Sequence, residues 1–400
     1  MNATTNRGLM ISRSLKPVLI NYATKFPVVA ILGPRQSGKT TLSQATFTNH
    51  QYVSLENPDT RTFALTDPRG FLATHDNAYG IILDEIQHAP DLLSYIQTIV
   101  DREKKPGYFV LTGSQNFLIG QTITQTLAGR IAILTLLPLS INEFKENSLL
   151  PAAIETAIFT GGYPRIYADT IRPFEWYPNY IITYVERDVR QIINIQDLTV
   201  FQNFVKLCAG RIGQLLNISS LGNDCGISTT TARSWLTLLE ASYIIFLLQP
   251  HHNNFSKRLI KSPKLYFFDT GLACSLLGIE SEKQITTHYL RGGLVESLLI
   301  SDFFKQVYNA GRKPHLYFWR DSHGHEVDCI REKGSQLIPI EIKAGKTISN
   351  NYFTELSYWN ELTKSDPAQS FVIYAGNENQ QRTNGKVLGW QSAGSIIDFS

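Results

Sequence analysis

At 400 residues, with 43% hydrophobic and 18% charged residues and a formal net charge of +3, the chain is long enough for two or three domains and has an ordinary globular composition. So small a charge does not demand a polyanionic partner, which would have to be met by a local basic patch. Cys208, Cys225, Cys274 and Cys329 are scattered without a CxxC pair, so neither a zinc site nor a disulfide frame is signalled. The first apolar stretch is broken by Lys16, Asn21 and Lys25 and has no cleavage-like site, and no apolar run reaches the ~18 residues of a membrane span. A cytoplasmic location is expected.

The segment "FPVVAILGPRQSGKTTLSQATF" reads as a buried parallel strand, a loop and a helix. Its loop, Gly33-Pro34-Arg35-Gln36-Ser37-Gly38-Lys39-Thr40 followed by Thr41, matches G-x-x-x-x-G-K-[ST] in the context that this phosphate-binding pattern requires. Gly33 and Gly38 allow the backbone N–H groups to face a phosphate, and the helix N-terminus adds partial positive charge. Lys39 is placed to reach the β- and γ-phosphates of ATP, and Thr40 to offer its hydroxyl to Mg²⁺.

A second apolar strand, Ile81 to Leu83, ends in Asp84-Glu85. An acid at the C-terminal end of such a strand sits where ligands bind in parallel α/β sheets. Asp84 is read as holding the Mg²⁺ water shell and Glu85 as the general base for the attacking water. A third strand, Tyr108 to Leu111, ends near Ser114 and Gln115, either of which is a candidate γ-phosphate sensor. Further strands are expected at Tyr52–Leu55 and after Arg130. Arg130 is a candidate arginine finger, acting in cis or on a neighbouring subunit, with Arg187 as a rival. A strand between the phosphate loop and the acid pair, with a glutamate beside the aspartate, resembles the AAA-like branch of P-loop ATPases.

From Pro151 to about Gln196 the pattern is helical, with Pro178 expected at or near a helix start and "GGYPRIY" as a bend between helices. Residues 201–277 read as three helices and a two-stranded hairpin, a winged helix, with Ser228 capping the third helix. Its functional reading is DNA contact. Lys257, Arg258, Lys261 and Lys264 make the wing basic, whereas the recognition helix offers only Thr229, Thr230, Thr231, Arg233 and Ser234.

The last third begins with an amphipathic helix containing Glu296, followed by three strands with turns at "DSHG" and "KGS". Asp328 falls on the second strand; Glu341 and Lys343 share one face of the third. Antiparallel pairing would bring these together as D-x(n)-E-x-K. In that reading Asp328 and Glu341 ligate Mg²⁺ or Mn²⁺ with the Ile342 carbonyl, Lys343 orients or deprotonates a water, and Glu296 holds a second metal or a metal-bound water. The competing readings are an ion-pair network and, from His323 and His325, a zinc site.

With these residues in view, the chain resembles a family of bacterial and archaeal AAA-type ATPases that join a P-loop core to a C-terminal domain similar to the PD-(D/E)XK nuclease fold. The resemblance rests on "GPRQSGKTTL", "ILDEIQHAP", "VLTGSQ", "LAGR", "LPLS", "GGYPR", "ERDV", "KLYFFDTGL", "GGLVES", "FWRDSHGHEVD" and "PIEIKAG". It implies an α/β chain with four parts. These are an AAA-like ATPase core over 1–150, a helical lid over 151–200, a winged helix over 201–280 and a nuclease-like domain over 281–400. The activity it implies is ATP hydrolysis. Three tasks are compatible with these residues: an ATPase acting on DNA through its C-terminal region, a metal-dependent nuclease gated by ATP, and a non-catalytic switch that docks a protein partner. Assembly with further copies of the chain stays open.

Overall fold

The computed structural model describes residues 10–114, 126–184, 197–251 and 261–397. Gln115, Arg187, Lys257 and Arg258 lie outside these residues.

β1 (Val28–Leu32), β2 (Gln51–Ser54), β3 (Ile81–Asp84), β4 (Phe109–Gly113) and β5 (Ile131–Thr135) form an all-parallel sheet in the order β2-β3-β4-β1-β5. β1, β3 and β4 are buried along their whole length, as their unbroken apolar sequences require. Two hydrophobic clusters cover the two faces of the sheet. The sequence order placed β2 between the phosphate loop and the acid pair, but in space β4 lies between β1 and β3 and β2 moves to the edge. The phosphate loop, Asp84 and Ser114 therefore meet at one end of the sheet.

Arg130 is at the other end. Its carbonyl accepts a hydrogen bond from Val28 N, and Ile131 pairs with Val28 at the start of β1. Five strand residues separate it from the phosphate loop, about 16 Å at 3.3 Å per residue. The expectation of a finger acting in cis is corrected: Arg130 Nη2 instead bonds Asp101 Oδ2 at 2.9 Å.

Helices Ile154–Thr160, Pro164–Ala168 and Pro173–Tyr180 follow. Pro173, not Pro178, opens the third; Pro178 lies inside it, and the backbone continues into a wider turn over residues 181–184. Helices Leu198–Ala209, Ile218–Cys225 and Thr229–Ala241 then pack with β7 (Ile245–Leu248) and β8 (Lys264–Phe267). Ser228 Oγ caps the third of these helices, accepting from Thr231 N at 3.0 Å. A two-residue strand absent from the sequence reading, β6 (Gln214–Leu215), pairs with β8 to give the antiparallel order β6-β8-β7. Two residues are too few to show a period.

The chain ends with the helix Arg291–Asn309 and a six-stranded mixed sheet. Its strands are β9 (Leu316–Arg320), β10 (Glu326–Lys333), β11 (Gln336–Lys343), β12 (Phe371–Tyr374), β13 (Gln380–Arg382) and β14 (Gly385–Gly389). Their order is β13-β14-β12-β11-β10-β9. One hydrophobic cluster runs from Leu137 to Ile397 and unites the residues after β5, the middle helices and one face of this sheet. The helix Arg291–Asn309 also docks directly on the N-terminal part: Asp302 Oδ1 accepts from Ile141 N at 2.6 Å, and Lys305 Nζ donates to Leu139 O at 3.3 Å. Among the described residues no helix is long and apolar enough to cross a membrane.

Candidate functional site

The phosphate loop turns from β1 into the helix Lys39–Thr46. Gly38 takes φ 92°, and a side chain at Gly33 would collide with the Leu136 carbonyl. Both glycines are thus required by the backbone path. Lys39 is buried, and its Nζ donates to the carbonyls of Gly33 (3.1 Å) and Pro34 (2.8 Å). Burial pulls its pKa below the ordinary lysine value, against the opposing charges of Glu85 and Asp84.

Thr40 Oγ1 donates to Asp84 at 3.1 Å. Asp84 also accepts from Tyr52 Oη at 2.8 Å and from Thr112 Oγ1, so β2 and β4 both orient it. Glu85 has φ 57° and ψ 50°, a left-handed conformation rare for a residue with a side chain. Its Oε2 accepts from Ser114 Oγ at 3.1 Å and from Gln87 Nε2. Burial raises its pKa, but Lys39, Gln87, Arg35 and Ser114 together bring it below the usual glutamate value. Of the two sensor candidates, Ser114 is in the site; Gln115 is outside the described residues.

These groups fit a nucleotide triphosphate with Mg²⁺. Ser37 Oγ is buried in the loop without a hydrogen-bond partner, and Thr40 with Asp84 forms an all-oxygen donor set suited to a hard cation. A cavity of about 700 Å³ opens beside them, lined among others by Ile11, Gln36, Thr41, Leu42, Pro164 and Arg165. Arg35 Nη2 lies 3.6 Å from Glu56.

Two residues of this site were not singled out from the sequence. Arg13 is buried, with Nη1 donating to Ser37 O (2.5 Å), Nη2 to Leu137 O (2.6 Å) and Nε to Glu143 Oε1 (2.8 Å). It joins the phosphate loop to the segment after β5, and no local pattern marks it. Arg165 follows "GGYP" and is carried to the cavity by the Gly161–Gly162 bend; its position after that bend was a readable signal.

The C-terminal groups converge as the sequence predicts, but around a different cation. Cys329 pairs with Ile340 across β10 and β11, which sets Asp328 beside the third strand; Ile342 N donates to Asp328 Oδ2 at 2.8 Å. A register shift between β9 and β10 at Val327–Ile330 places Asp328 at a bulge. Lys343 Nζ bonds Glu341 Oε1. Close packing of Gly293 on the backbone of Ile212 and Gly213 brings Glu296 to Tyr266 Oη, which donates to it at 2.7 Å.

Lys264 Nζ stands among these acids, bonded to Glu326, 3.6 Å from Glu296 and 3.8 Å from Asp328. Its side chain is 4% exposed. Burial opposes its charge, yet Glu296, Asp328 and Glu326 hold it above the ordinary lysine range. Glu296 is pushed up to about 7 by burial and by the charge of Asp328. Two expectations are corrected. Lys264 belongs to no exposed basic wing, and the carboxylates as placed do not fit a divalent ion. Among the described residues no group of three His, Cys, Asp or Glu could hold a metal. His325 stacks on Tyr358 and bonds Glu355 at 3.0 Å, and His323 is exposed, so they form no zinc site with Asp328.

An all-parallel sheet with its phosphate loop, acid pair and Ser114 at one end defines the core of a P-loop ATPase of the AAA type. Residues 25–145 match the family described as "AAA domain", and residues 152–283 and 291–392 match two domains of unknown function, DUF8612 and DUF4143. An uncharacterized protein of Mycobacterium tuberculosis and one of Mycobacterium bovis are each 31% identical over 357 residues, 88% of this chain and 77% of the relative. The chain belongs to the family of these mycobacterial proteins. An uncharacterized protein of Haemophilus influenzae is 22% identical over 299 residues, 67% of this chain and 74% of its own length. Among solved structures, the Walker-type ATPase of Pyrococcus abyssi aligns at 15% identity and a TM-score of 0.43, over 67% of this chain and 96% of that one.

Proposed function

We propose that the chain hydrolyses ATP with Mg²⁺ and uses its nucleotide state to reposition the region after residue 150. The observation that carries the first half is the joint placement of Lys39, Thr40, Asp84, Glu85 and Ser114 at the C-terminal ends of β1, β3 and β4. Thr40 and Asp84 would hold Mg²⁺, which supplies charge neutralisation on the phosphates. Glu85, kept ionised beside Lys39, accepts a proton from the attacking water, and Ser114 orients its carboxylate. Arg165 offers its guanidinium to the phosphates from the lid.

The second half is supported by the path from Arg165 through Gly162 to Asp269. Asp269 Oδ2 accepts from Gly162 N at 2.7 Å, and Oδ1 accepts from Tyr177 Oη at 2.6 Å. A shift of the lid would therefore be felt just beyond the end of β8. Mg·ATP turnover tests the reading. Lys39→Ala should lose it, and Glu85→Gln should bind ATP yet turn over roughly 10²–10⁴ times more slowly. Unchanged turnover in both variants overturns it.

A second reading adds DNA as partner, through a winged helix formed by residues 201–280. It is supported by exposed Thr229, Thr230, Arg233, Ser234 and Lys261. Helix Thr229–Ala241 carries Arg233 as its single cation, so a protein-docking role is equally served by this face. A DNA affinity that falls steeply with salt would establish contact; an affinity insensitive to salt would remove DNA from the proposal.

A further inference from the structure

The four carboxylates Glu296, Glu326, Asp328 and Glu341 are drawn from one helix and two strands of the last module, but the cation among them comes from another part of the chain. β8 delivers Lys264 from the sheet of the middle module. Its ammonium also lies over the Phe318 ring, 5.7 Å from its centre. Lys343 neutralises one oxygen of Glu341; the other, Glu341 Oε2, is buried without a hydrogen-bond partner. A buried carboxyl oxygen left without a partner calls for a physical explanation.

We propose that the Lys264 ammonium is the resident cation of this cluster and that it closes the cluster to divalent ions. The distances support the exclusion. Glu296 and Asp328 oxygens at 3.6 and 3.8 Å from Nζ suit an ammonium held by charge, whereas Mg²⁺ needs oxygens at about 2.0–2.1 Å. An ion cannot enter the space that the Nζ fills. The lock stands independently of ATP hydrolysis.

Mn²⁺ titration of the full chain without nucleotide, followed by the loss of free-ion electron paramagnetic resonance signal, tests the lock. Lys264→Met should gain a Mn²⁺ site at least about tenfold tighter than any in the wild type, and adding Glu341→Gln should abolish the gain. Removal of the ammonium leaves the acids unbalanced, so Lys264→Met/Glu326→Gln, which removes one acid with it, provides a second folded background for the same titration. Equal Mn²⁺ binding by wild type and variants, no gain in a variant whose thermal unfolding remains cooperative, or a gain that survives Glu341→Gln would overturn the proposal. ATP turnover need not change for either outcome, so failure here is distinct from failure of the ATPase reading.

Discussion

Lys264 opens β8 and Asp269 lies two residues beyond its end, and each is buried in a different neighbour. Lys264 sits among Glu296, Glu326 and Asp328 of the last module; Asp269 accepts hydrogen bonds from Gly162 N and Tyr177 Oη in the helical segment after residue 150. β8 and the two residues after it therefore link the segment that bears Arg165 to the acidic cluster.

The bend at Gly161 is the tightest point of that link. Its φ is 67°, and a Cβ there would collide with Tyr177 Oη and the Asp269 carboxylate. Gly161→Ala should destabilise the protein by at least about 2 kcal/mol, because strain in the left-handed region adds to the displacement of two buried hydrogen-bonding groups. Chemical denaturation measures this; an unchanged midpoint would show that the bend is free to relax.

Arg13 should be the most costly single truncation near the nucleotide. Arg13→Ala leaves Glu143, whose side chain is 0% exposed, without its guanidinium. A loss of roughly 3–5 kcal/mol is expected, as for other buried pairs broken on one side. Arg13 also holds Ser37 O, so ATP affinity should fall with stability. Arg13→Lys, which cannot bond all three acceptors at once, should recover only part of both.

Arg165→Ala should act differently. Arg165 is 55% exposed and bonds Asp169 at 3.0 Å, an exposed pair worth little to stability. Its loss should leave the unfolding midpoint within about 0.5 kcal/mol of wild type, while raising the KM for ATP by roughly tenfold, about 1.4 kcal/mol. A shifted midpoint with unchanged KM would assign it a structural role.

Ser114→Ala should separate orientation from charge at Glu85. Glu85 stays ionised through Lys39, but loses one of the bonds that aim its carboxylate. kcat should fall roughly tenfold, about 1–1.5 kcal/mol for one hydrogen bond, with ATP affinity kept. Unchanged kcat would leave Gln87 as the orienting partner.

Glu240 predicts the direction of a pH effect. Burial pushes its carboxyl up to about 7, with only a bond from Leu247 N at 3.3 Å to oppose the shift. The folded state thus holds a proton that the unfolded state releases near 4.5. Its stability contribution is complete below about 4.5 and is lost as pH rises through about 7, a total of about 3 kcal/mol. Glu240→Gln should flatten this part of the stability profile and be more stable than wild type at pH 8. Parallel profiles for the two proteins would show that water reaches the carboxylate.

Much of this protein was legible in its sequence because the relevant signals are local. Gly33 to Thr40 must fold as they do to bring N–H groups together, and apolar strands ending in Asp84 and Ser114 follow from burial on both faces of a parallel sheet. Even Asp328, Glu341 and Lys343 could be set together from antiparallel pairing alone. The sequence also showed Gly161–Gly162 as a bend, but not which buried acid the bend would meet. Arg13, Arg130 and Lys264 were decided only by the tertiary structure. Each is a cation whose effect depends on an acceptor far away along the chain: Glu143 for the first, Asp101 for the second, the cluster around Glu296 for the third. Charge has no period, so a basic residue reads as surface until folding supplies its partner. For Lys264 the difference matters most, since burial turned an apparent wing contact into the cation of the acidic cluster.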